Sequence, residues 1–183
     1  SFHELKKTVR QNHCSSNEED EYSEWMKSVR VTLGILRARP WNLRSIYKVP
    51  NKLRKLKEEA YSPCIVSIGP FHQQKTELLG MEEHKWRYML AFLHRTPDPE
   101  MTLDECGKAI SCLEESARGC YAENIHLNKN MLVEILLVDG CFILELFLRY
   151  SDNNFRDKND PIISNAWMVP TIRYDLALLE NQI

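Results

Sequence analysis

The run Met131–Leu148 constrains this 183-residue chain more than any other feature, because fourteen of its eighteen residues are hydrophobic. A run of this length and composition is typical of a membrane-spanning helix. Three acidic residues interrupt it, however, at Glu134, Asp139 and Glu145. Each charge near the centre of a membrane helix costs about 2.5–3.5 kcal/mol on insertion scales. The run therefore predicts a helix buried in the core of a soluble domain.

The three carboxylates of this run are candidates for chemistry. Glu134 and Glu145 are eleven residues apart and so share a helix face, whereas Asp139 lies about 140° away. One such pair would suit acid–base catalysis or metal binding. The interpretation that the pattern favours is a set of buried ion pairs with Arg or Lys from neighbouring helices. Convergence in an open pocket would support catalysis, and burial in ion pairs would support the structural role.

Apolar residues at three- and four-residue steps predict two helices in the first half of the chain. One begins at Trp25 and ends before Pro40, with a basic polar face. The other extends from Thr76 to His94. The side chains of the second helix that we expect to face the core are Leu79, Trp86, Met89 or Leu90, and Leu93.

Helix-start signals predict two more helices in the second half. Thr102 and Glu105 match a capping box, in which the two residues satisfy free amides at a helix start. Pro170 is expected at the first position of a last helix, where its missing N–H costs nothing. Asp175–Ile183 continues as an amphipathic run with no stop signal, so we expect a chain cut from a larger domain. The apolar stripe after Thr102 comprises Leu103, Cys106, Ile110, Leu113, Ala117 and Cys120 or Tyr121.

Two segments lack helical periodicity. Cys64–Ile68 is a short apolar run with β-branched residues, closed by Gly69-Pro70, which suits a strand or a buried extended segment. Ser151–Pro161 is charged and rich in Asn and Asp, as loops are. Together the elements predict a mainly α, multi-helix, bundle-like domain with one or two short extended segments, truncated at the C-terminus.

Charge is distributed unevenly along the chain, although the formal total is only −2. Residues 1–24 hold three basic and six acidic side chains, 25–60 hold ten and two, and 61–183 hold eleven and eighteen, for net charges of −3, +8 and −7. We expect an acidic mobile tail over 1–24, a basic amphipathic helix and connector over 25–45, and the main domain over 46–183.

Three kinds of partner suit the basic block: nucleic acid, anionic lipid or another protein, and the acidic body of this chain. Nucleic acid is disfavoured, because the rest of the chain is acidic and shows no nucleic-acid-binding module. The pattern favours contact with the acidic body, and contact with lipid or a partner is the second interpretation. The candidate residues for the second are Lys48, Lys52, Arg54, Lys55 and Lys57.

Catalytic, phosphate-binding and dinucleotide motifs are absent from the sequence, which predicts no cofactor and assigns no catalytic residue. Glu82-Glu83-His84 combines carboxylates with an imidazole, but consecutive residues point in different directions on a helix. Cys106, Cys112 and Cys120 lie six and eight residues apart, which matches no metal site. We therefore expect no bound metal, and we expect reduced cysteines.

Several short motifs follow one another from Ile46 to the end of the chain. They are Ile46-Tyr47-Lys48-Val49-Pro50, Tyr61-Ser62-Pro63, Val66–His72, Met81–Tyr88, Cys120-Tyr121, Val138–Glu145, Asp175-Leu176 and Leu179–Gln182. In this order they resemble the plant domain of unknown function 247 (DUF247) family over residues 46–183. The motif positions are Pro50, Ile68, Gly69, Pro70, Phe71, His72, Glu82, His84, Lys85, Asp139, Gly140, Cys141, Phe142, Glu145, Asp175, Glu180, Asn181 and Gln182.

The resemblance implies a role but no chemistry. The family has no established catalytic activity, its members continue past this region, and many end in a single C-terminal membrane helix. Some grass members are associated with self-incompatibility loci, as candidate pollen-side recognition determinants. We therefore expect a non-enzymatic recognition or signalling module of a plant protein, with protein partners that the sequence does not identify. The intact protein is expected at a membrane through an anchor absent from this soluble piece.

Two alternatives stay open. One is an acid–base or metal-dependent enzyme that uses His84 or the pair Asp139 and Glu145. The family commonly has a second His and a Gly after Gly-Pro-Phe-His, where this chain has Gln73 and Gln74. That departure weakens any site built on a His pair at the turn. The other alternative is a membrane-surface adaptor that acts through residues 25–57.

Overall fold

The computed structural model describes residues 18–37 and 44–183, which belong to two compact units with a boundary between residues 43 and 44. The first unit contains α1 (Glu18–Arg37), which begins seven residues before Trp25. Four consecutive acidic residues at 18–21 favour this earlier start, because a helix N-terminus carries partial positive charge. Residues 18–24 are thus helical, where the sequence predicted a mobile tail; residues 1–17 and 38–43 lie outside the described residues.

Six helices form the second unit. They are α2 (Asn51–Arg54), α3 (Glu82–Leu93), α4 (Pro99–Cys120), α5 (Lys129–Ser151), α6 (Pro161–Ser164) and α7 (Met168–Leu176). Short 3-10 helices cover Glu58–Ala60, Thr76–Met81 and Asn153–Phe155. Within residues 18–37 and 44–183 there is no β-strand, and an isolated parallel bridge joins Ile46 to Tyr121. The mainly α fold class is confirmed.

The hydrophobic run forms α5, which packs against both α3 and α4. The side chain of Asn128 caps its start by accepting a hydrogen bond from the N–H of Met131 at 2.9 Å. Buried residues of α5, Phe142 and Leu146 among them, meet side chains from the extended segment, α3, α6 and α7 in one core cluster. Among the helices that the structure describes, none has a stretch long and apolar enough to cross a membrane.

The helix over 76–94 presents a different face to the core from the predicted one. Met89 and Leu93 are buried as expected. Two other side chains expected in the core, Leu79 and Trp86, are exposed, as is Leu90, the alternative to Met89. Lys85 lies at the centre of the buried face instead. Hydrophobic periodicity misses this face because its central residue is charged.

The predicted capping box is also wrong. The side chain of Asp98 accepts a hydrogen bond from the N–H of Met101, so α4 begins at Pro99 and Thr102 lies inside the helix. The apolar stripe of α4 is only partly buried, since Leu103 and Leu113 are exposed. Glu114 is buried on this helix instead and pairs with Arg118.

The end of the chain differs most from its prediction. Pro170 is the third residue of α7, a position whose N–H would have no intrahelical partner in any case. The helix ends at Leu176, so Asp175–Ile183 is not an interrupted helix. Residues 177–181 instead form turns and bends, and the side chain of Asn181 binds the extended segment.

Candidate functional site

One carboxylate holds the backbone of the extended segment Cys64–Ile68. Asp175, on α7, accepts hydrogen bonds from the N–H groups of Cys64, Ile65 and Val66 at 2.7, 2.8 and 3.0 Å. Asp175 is fully buried, so these backbone groups take the place of water around its charge. The segment contains no helix and no strand, and its backbone pairs with side chains and not with another strand.

Asn181 continues this pairing. Its side-chain oxygen accepts a hydrogen bond from the N–H of Ile68 at 2.6 Å. Its side-chain nitrogen donates to the carbonyl oxygens of Val66 and Asp175, each at 3.0 Å. A single amide side chain thus supplies the donor and acceptor that the edge of a neighbouring strand would supply.

A buried ion pair fixes the turn that follows. The Lys85 ammonium group donates to Asp139 Oδ1 at 2.7 Å and to the carbonyl oxygen of Ser67 at 2.9 Å. The other oxygen of Asp139 accepts from the N–H of Gly69 at 2.8 Å. Glu82, one turn earlier on α3, lies 2.7 Å from the same ammonium group. Burial raises the pKa of Asp139 to about 6, although the Lys85 charge opposes the shift.

Gly69 is the residue that this turn requires. Its φ is +70°, a left-handed conformation that L side chains rarely adopt. A Cβ atom there would also overlap the carbonyl oxygen of Gln182. The same carbonyl accepts a hydrogen bond from the hydroxyl of Tyr121 at 2.9 Å. The end of the described chain therefore lies directly against the turn.

Glu180 links the basic segment to this cluster. Its carboxylate accepts hydrogen bonds from the guanidinium group of Arg54 and from the N–H of Val49. The ring nitrogen Nε2 of His72 lies 3.7 Å from the same carboxylate. It is one of two buried side-chain atoms in the described part of the chain without a hydrogen-bond partner, Ser67 Oγ being the other. Burial, and next the charge of Lys75, lower the pKa of His72 to about 4.

The other motif positions around this cluster pack in the core or lie next to a helix start. Phe142 is fully buried in the core, and Phe71 meets the ring of Tyr121 edge-on with centroids 5.2 Å apart. Cys141 is buried, which raises the pKa of its thiol to about 11. Pro50 directly precedes α2. Five cysteines in the described part of the chain are free: Cys64, Cys106, Cys112, Cys120 and Cys141.

A second buried network lies around Glu145. Its carboxylate accepts two hydrogen bonds from Arg95, at 2.6 and 2.8 Å, and one from Arg149 at 2.7 Å. Arg149 also donates to Asp160 at 2.6 Å, and the hydroxyl of Tyr88 donates to the same oxygen at 2.6 Å. The other oxygen of Asp160 accepts from amides at the start of α6. The network therefore joins α3, α5 and α6.

A half-open groove of about 580 Å³ lies beside this network. His84 and Arg87 line it from α3, His94 lines it just after that helix, and Asp157 and Asp160 line it from the loop before α6. The structure thus brings one predicted catalytic candidate, His84, to an open surface.

The other catalytic candidates do not join His84 there. Asp139 and Glu145 are fully buried in separate ion pairs, and Glu134 is exposed on α5. Glu134 and Glu145 therefore differ in burial although they share a helix face. No group of His, Cys, Asp and Glu within 18–37 and 44–183 is arranged to hold a metal ion.

Sequence reasoning missed most partners of the buried carboxylates. Arg95 and Arg149 carried no signal of their own, since Arg is mostly exposed in proteins. Arg54 was predicted as a contact for lipid or another protein, and its pairing with Glu180 was not predicted. Asp160 did carry a signal, because Asp followed by Pro161 is typical of a helix start. Lys85 was noted as a motif position, but not as the counter-ion of Asp139.

Comparison with known proteins gives one family match and two curated relatives. Residues 46–183 match DUF247, described as a plant protein of unknown function. The UPF0481 protein At3g47200 of Arabidopsis thaliana is 36% identical over 138 residues, which cover 75% of this chain and 29% of the relative. The putative UPF0481 protein At3g02645 of the same plant is 33% identical over 139 residues, which cover 76% of this chain and 25% of the relative.

The chain thus spans less than a third of the length of either relative. No solved structure matches it.

Proposed function

Since this chain belongs to the DUF247 family of plant proteins of unknown function, we propose that it is a non-enzymatic recognition or signalling module that acts through protein contacts. The observation that carries this proposal is the state of the motif carboxylates. Asp139, Glu145, Asp175 and Glu180 are each at most 1% exposed, and each is bonded to Lys, Arg or backbone N–H groups. Carboxylates held in this way build a rigid scaffold and do not reach a substrate.

The outer side of α5 is the surface that best suits a protein partner. Leu144, Phe147 and Tyr150 are 51%, 56% and 52% exposed. They recur at three-residue steps on a helix of 23 residues, so they form one continuous apolar strip. Exposed apolar strips of this kind are typical of protein–protein contacts. We infer that a partner covers this strip with an apolar face of its own.

Affinity capture from the native tissue tests the proposal. The bait is the full-length protein, compared with a variant that carries Leu144→Glu and Phe147→Glu. Asn130→Glu, at an exposed position in the first turn of the same helix, is the matched control. We expect a defined protein to be retained by the wild type and the control and lost by the strip variant. No retained protein, or equal retention by all three, would overturn the proposal.

Membrane association and a link to self-incompatibility extend this proposal to the intact protein. Both are supported by the resemblance to family members that carry a C-terminal membrane helix or lie at self-incompatibility loci. Fractionation of the native tissue tests the first part. We expect the full-length protein in the membrane pellet after alkaline carbonate washing, and recovery in the soluble fraction would contradict it.

A second candidate function uses the groove beside α3. His84 is half-buried there, and Tyr88, His94 and Arg87 line the same space. An imidazole in a groove with a phenol and a guanidinium group suits acid–base chemistry on a small molecule. Turnover of a defined compound by the purified protein, lost in His84→Ala and kept in His126→Ala, would support this function and contradict the non-enzymatic one.

A further inference from the structure

We propose that the segment Tyr47–Lys57, called the basic strap here, docks on the anionic lipid headgroups of a membrane surface. The first evidence for this proposal is that several apolar side chains of the strap are exposed. Tyr47, Leu53 and Leu56 are 57%, 51% and 81% exposed. Apolar side chains at the headgroup level, next to lysines, are typical of surfaces that lie on a membrane.

The charges of the basic strap point to the same partner. Arg54 is paired with Glu180, which leaves four lysines: Lys48, Lys52, Lys55 and Lys57. All four are exposed, and no ion pair joins any of them to a carboxylate in the part of the chain that the structure describes. Glu58 and Glu59 follow directly, so four lysines against two glutamates leave a net charge of +2 on the exposed surface. A positive surface of this kind is attracted to acidic lipids.

The backbone of the basic strap is held by contacts before it and within it. Before it, the N–H groups of Ser45 and Ile46 donate to the carbonyl oxygen of Cys120 at 2.9 and 3.0 Å. Within it, the N–H of Val49 and the guanidinium group of Arg54 bind Glu180. A fixed backbone lowers the entropy that ordering the segment on a surface would cost.

The exposed leucines of the strap favour lipid over nucleic acid as its partner. Both partners offer phosphate to the lysines, but Leu53 and Leu56 gain free energy only where they enter an apolar phase. Single-stranded nucleic acid is bound by stacking on aromatic rings, and Tyr47 is the only aromatic residue of the strap. The proposal stands apart from the function proposed for α5, because no residue is shared between the two surfaces.

Vesicle co-sedimentation of the full 183-residue chain tests the proposal. We expect binding to vesicles of phosphatidylcholine mixed with phosphatidylserine, weaker binding in high salt, and no binding to pure phosphatidylcholine. Each lysine near an anionic surface contributes about a fivefold gain in affinity, so Lys52→Gln, Lys55→Gln and Lys57→Gln together should weaken binding about 100-fold. Leu53→Ser with Leu56→Ser should also weaken binding, by at least about tenfold, with the charge unchanged.

The matched control removes three exposed lysines elsewhere, by Lys108→Gln, Lys129→Gln and Lys158→Gln. It has the same net charge as the strap variant and should bind like the wild type. Circular dichroism melting of each variant checks that the fold is kept. Equal binding by the wild type and the strap variant would overturn the proposal, as would full binding after loss of both leucines. A single-stranded oligonucleotide that binds the strap more tightly than the vesicles do would also overturn it.

Discussion

The ammonium nitrogen of Lys85 lies 2.7 Å from Oδ1 of Asp139, and both side chains are fully buried. Each group also bonds the turn after the extended segment, Lys85 at the carbonyl of Ser67 and Asp139 at the N–H of Gly69. One ion pair therefore joins α3, α5 and this turn. Its loss should disturb more than the two residues that form it.

We expect Lys85→Met to lower the free energy of unfolding by about 3–5 kcal/mol, because the change leaves a buried carboxylate without its counter-ion. Urea unfolding measures the effect. Lys108→Met, which removes an exposed partner of Asp104, should leave the midpoint nearly unchanged. Adding Asp139→Leu to Lys85→Met should recover only part of the loss, since the Gly69 N–H then has no acceptor. Full recovery would show that the backbone bonds contribute nothing.

The Asp175 carboxylate accepts three backbone hydrogen bonds. Its removal should show how much these bonds contribute to the free energy of unfolding. We expect Asp175→Ala to cost at least about 3 kcal/mol, because three amides lose a charged acceptor. Hydrogen exchange should become faster at Cys64, Ile65 and Val66. Asp157→Ala, at an exposed loop position, is the control and should leave these amides protected. Unchanged exchange in Asp175→Ala would rule out the proposed pairing.

Two glycines should respond to the same substitution in opposite directions. Gly69→Ala should destabilise the protein by more than about 2 kcal/mol, because of the positive φ and the overlap with Gln182. Gly107→Ala should stabilise it by up to about 1 kcal/mol, since Gly107 lies in α4 and a Cβ atom there meets no neighbour. Thermal unfolding measures both. A loss of stability at both positions would contradict the account of Gly69.

His72 should make stability depend on pH. Burial lowers its pKa from 6.5 to about 4, so the unfolded chain binds the proton more tightly between these values. The contribution of His72 to the free energy of unfolding is therefore fully present above pH 6.5. It falls by about 3 kcal/mol as the pH drops towards 4.

Asp139 changes the free energy of unfolding with pH in the opposite direction. Its pKa is raised from 3.8 to about 6, so protonation of Asp139 between these pH values favours the folded state. The difference between the wild type and His72→Gln removes this contribution. We expect the stability of His72→Gln relative to the wild type to rise as the pH falls from 6.5 to 4, measured by urea midpoints. A difference that stays constant over this range would refute the role of His72.

The fold class could be predicted because the sequence signal of α5 is local. The predicted run Met131–Leu148 lies within the observed helix Lys129–Ser151. The faces of α3 and α4 could not be predicted, because buried Lys85 and Glu114 occupy positions that hydropathy assigns to solvent.

The motif positions were identified without their pairings. The sequence pattern places three of them, Asp175, Glu180 and Asn181, on the polar side of a helix. Their hydrogen-bond partners nevertheless lie more than 100 residues earlier in the chain. No local pattern contains a contact of that separation. The resemblance to a family indicated the motif positions, and the structure shows the partners of Asp175, Glu180 and Asn181.

The same separation has a consequence for synthesis on the ribosome. Asp175 lies 109 to 111 residues after the three residues whose N–H groups donate hydrogen bonds to it. At about 5–20 residues per second, the extended segment is made roughly 6–20 s before this partner. During that interval its amides bond to water. The segment Cys64–Val66 therefore gains this acceptor only after α7 is made, and a nascent chain that stops before α7 lacks it.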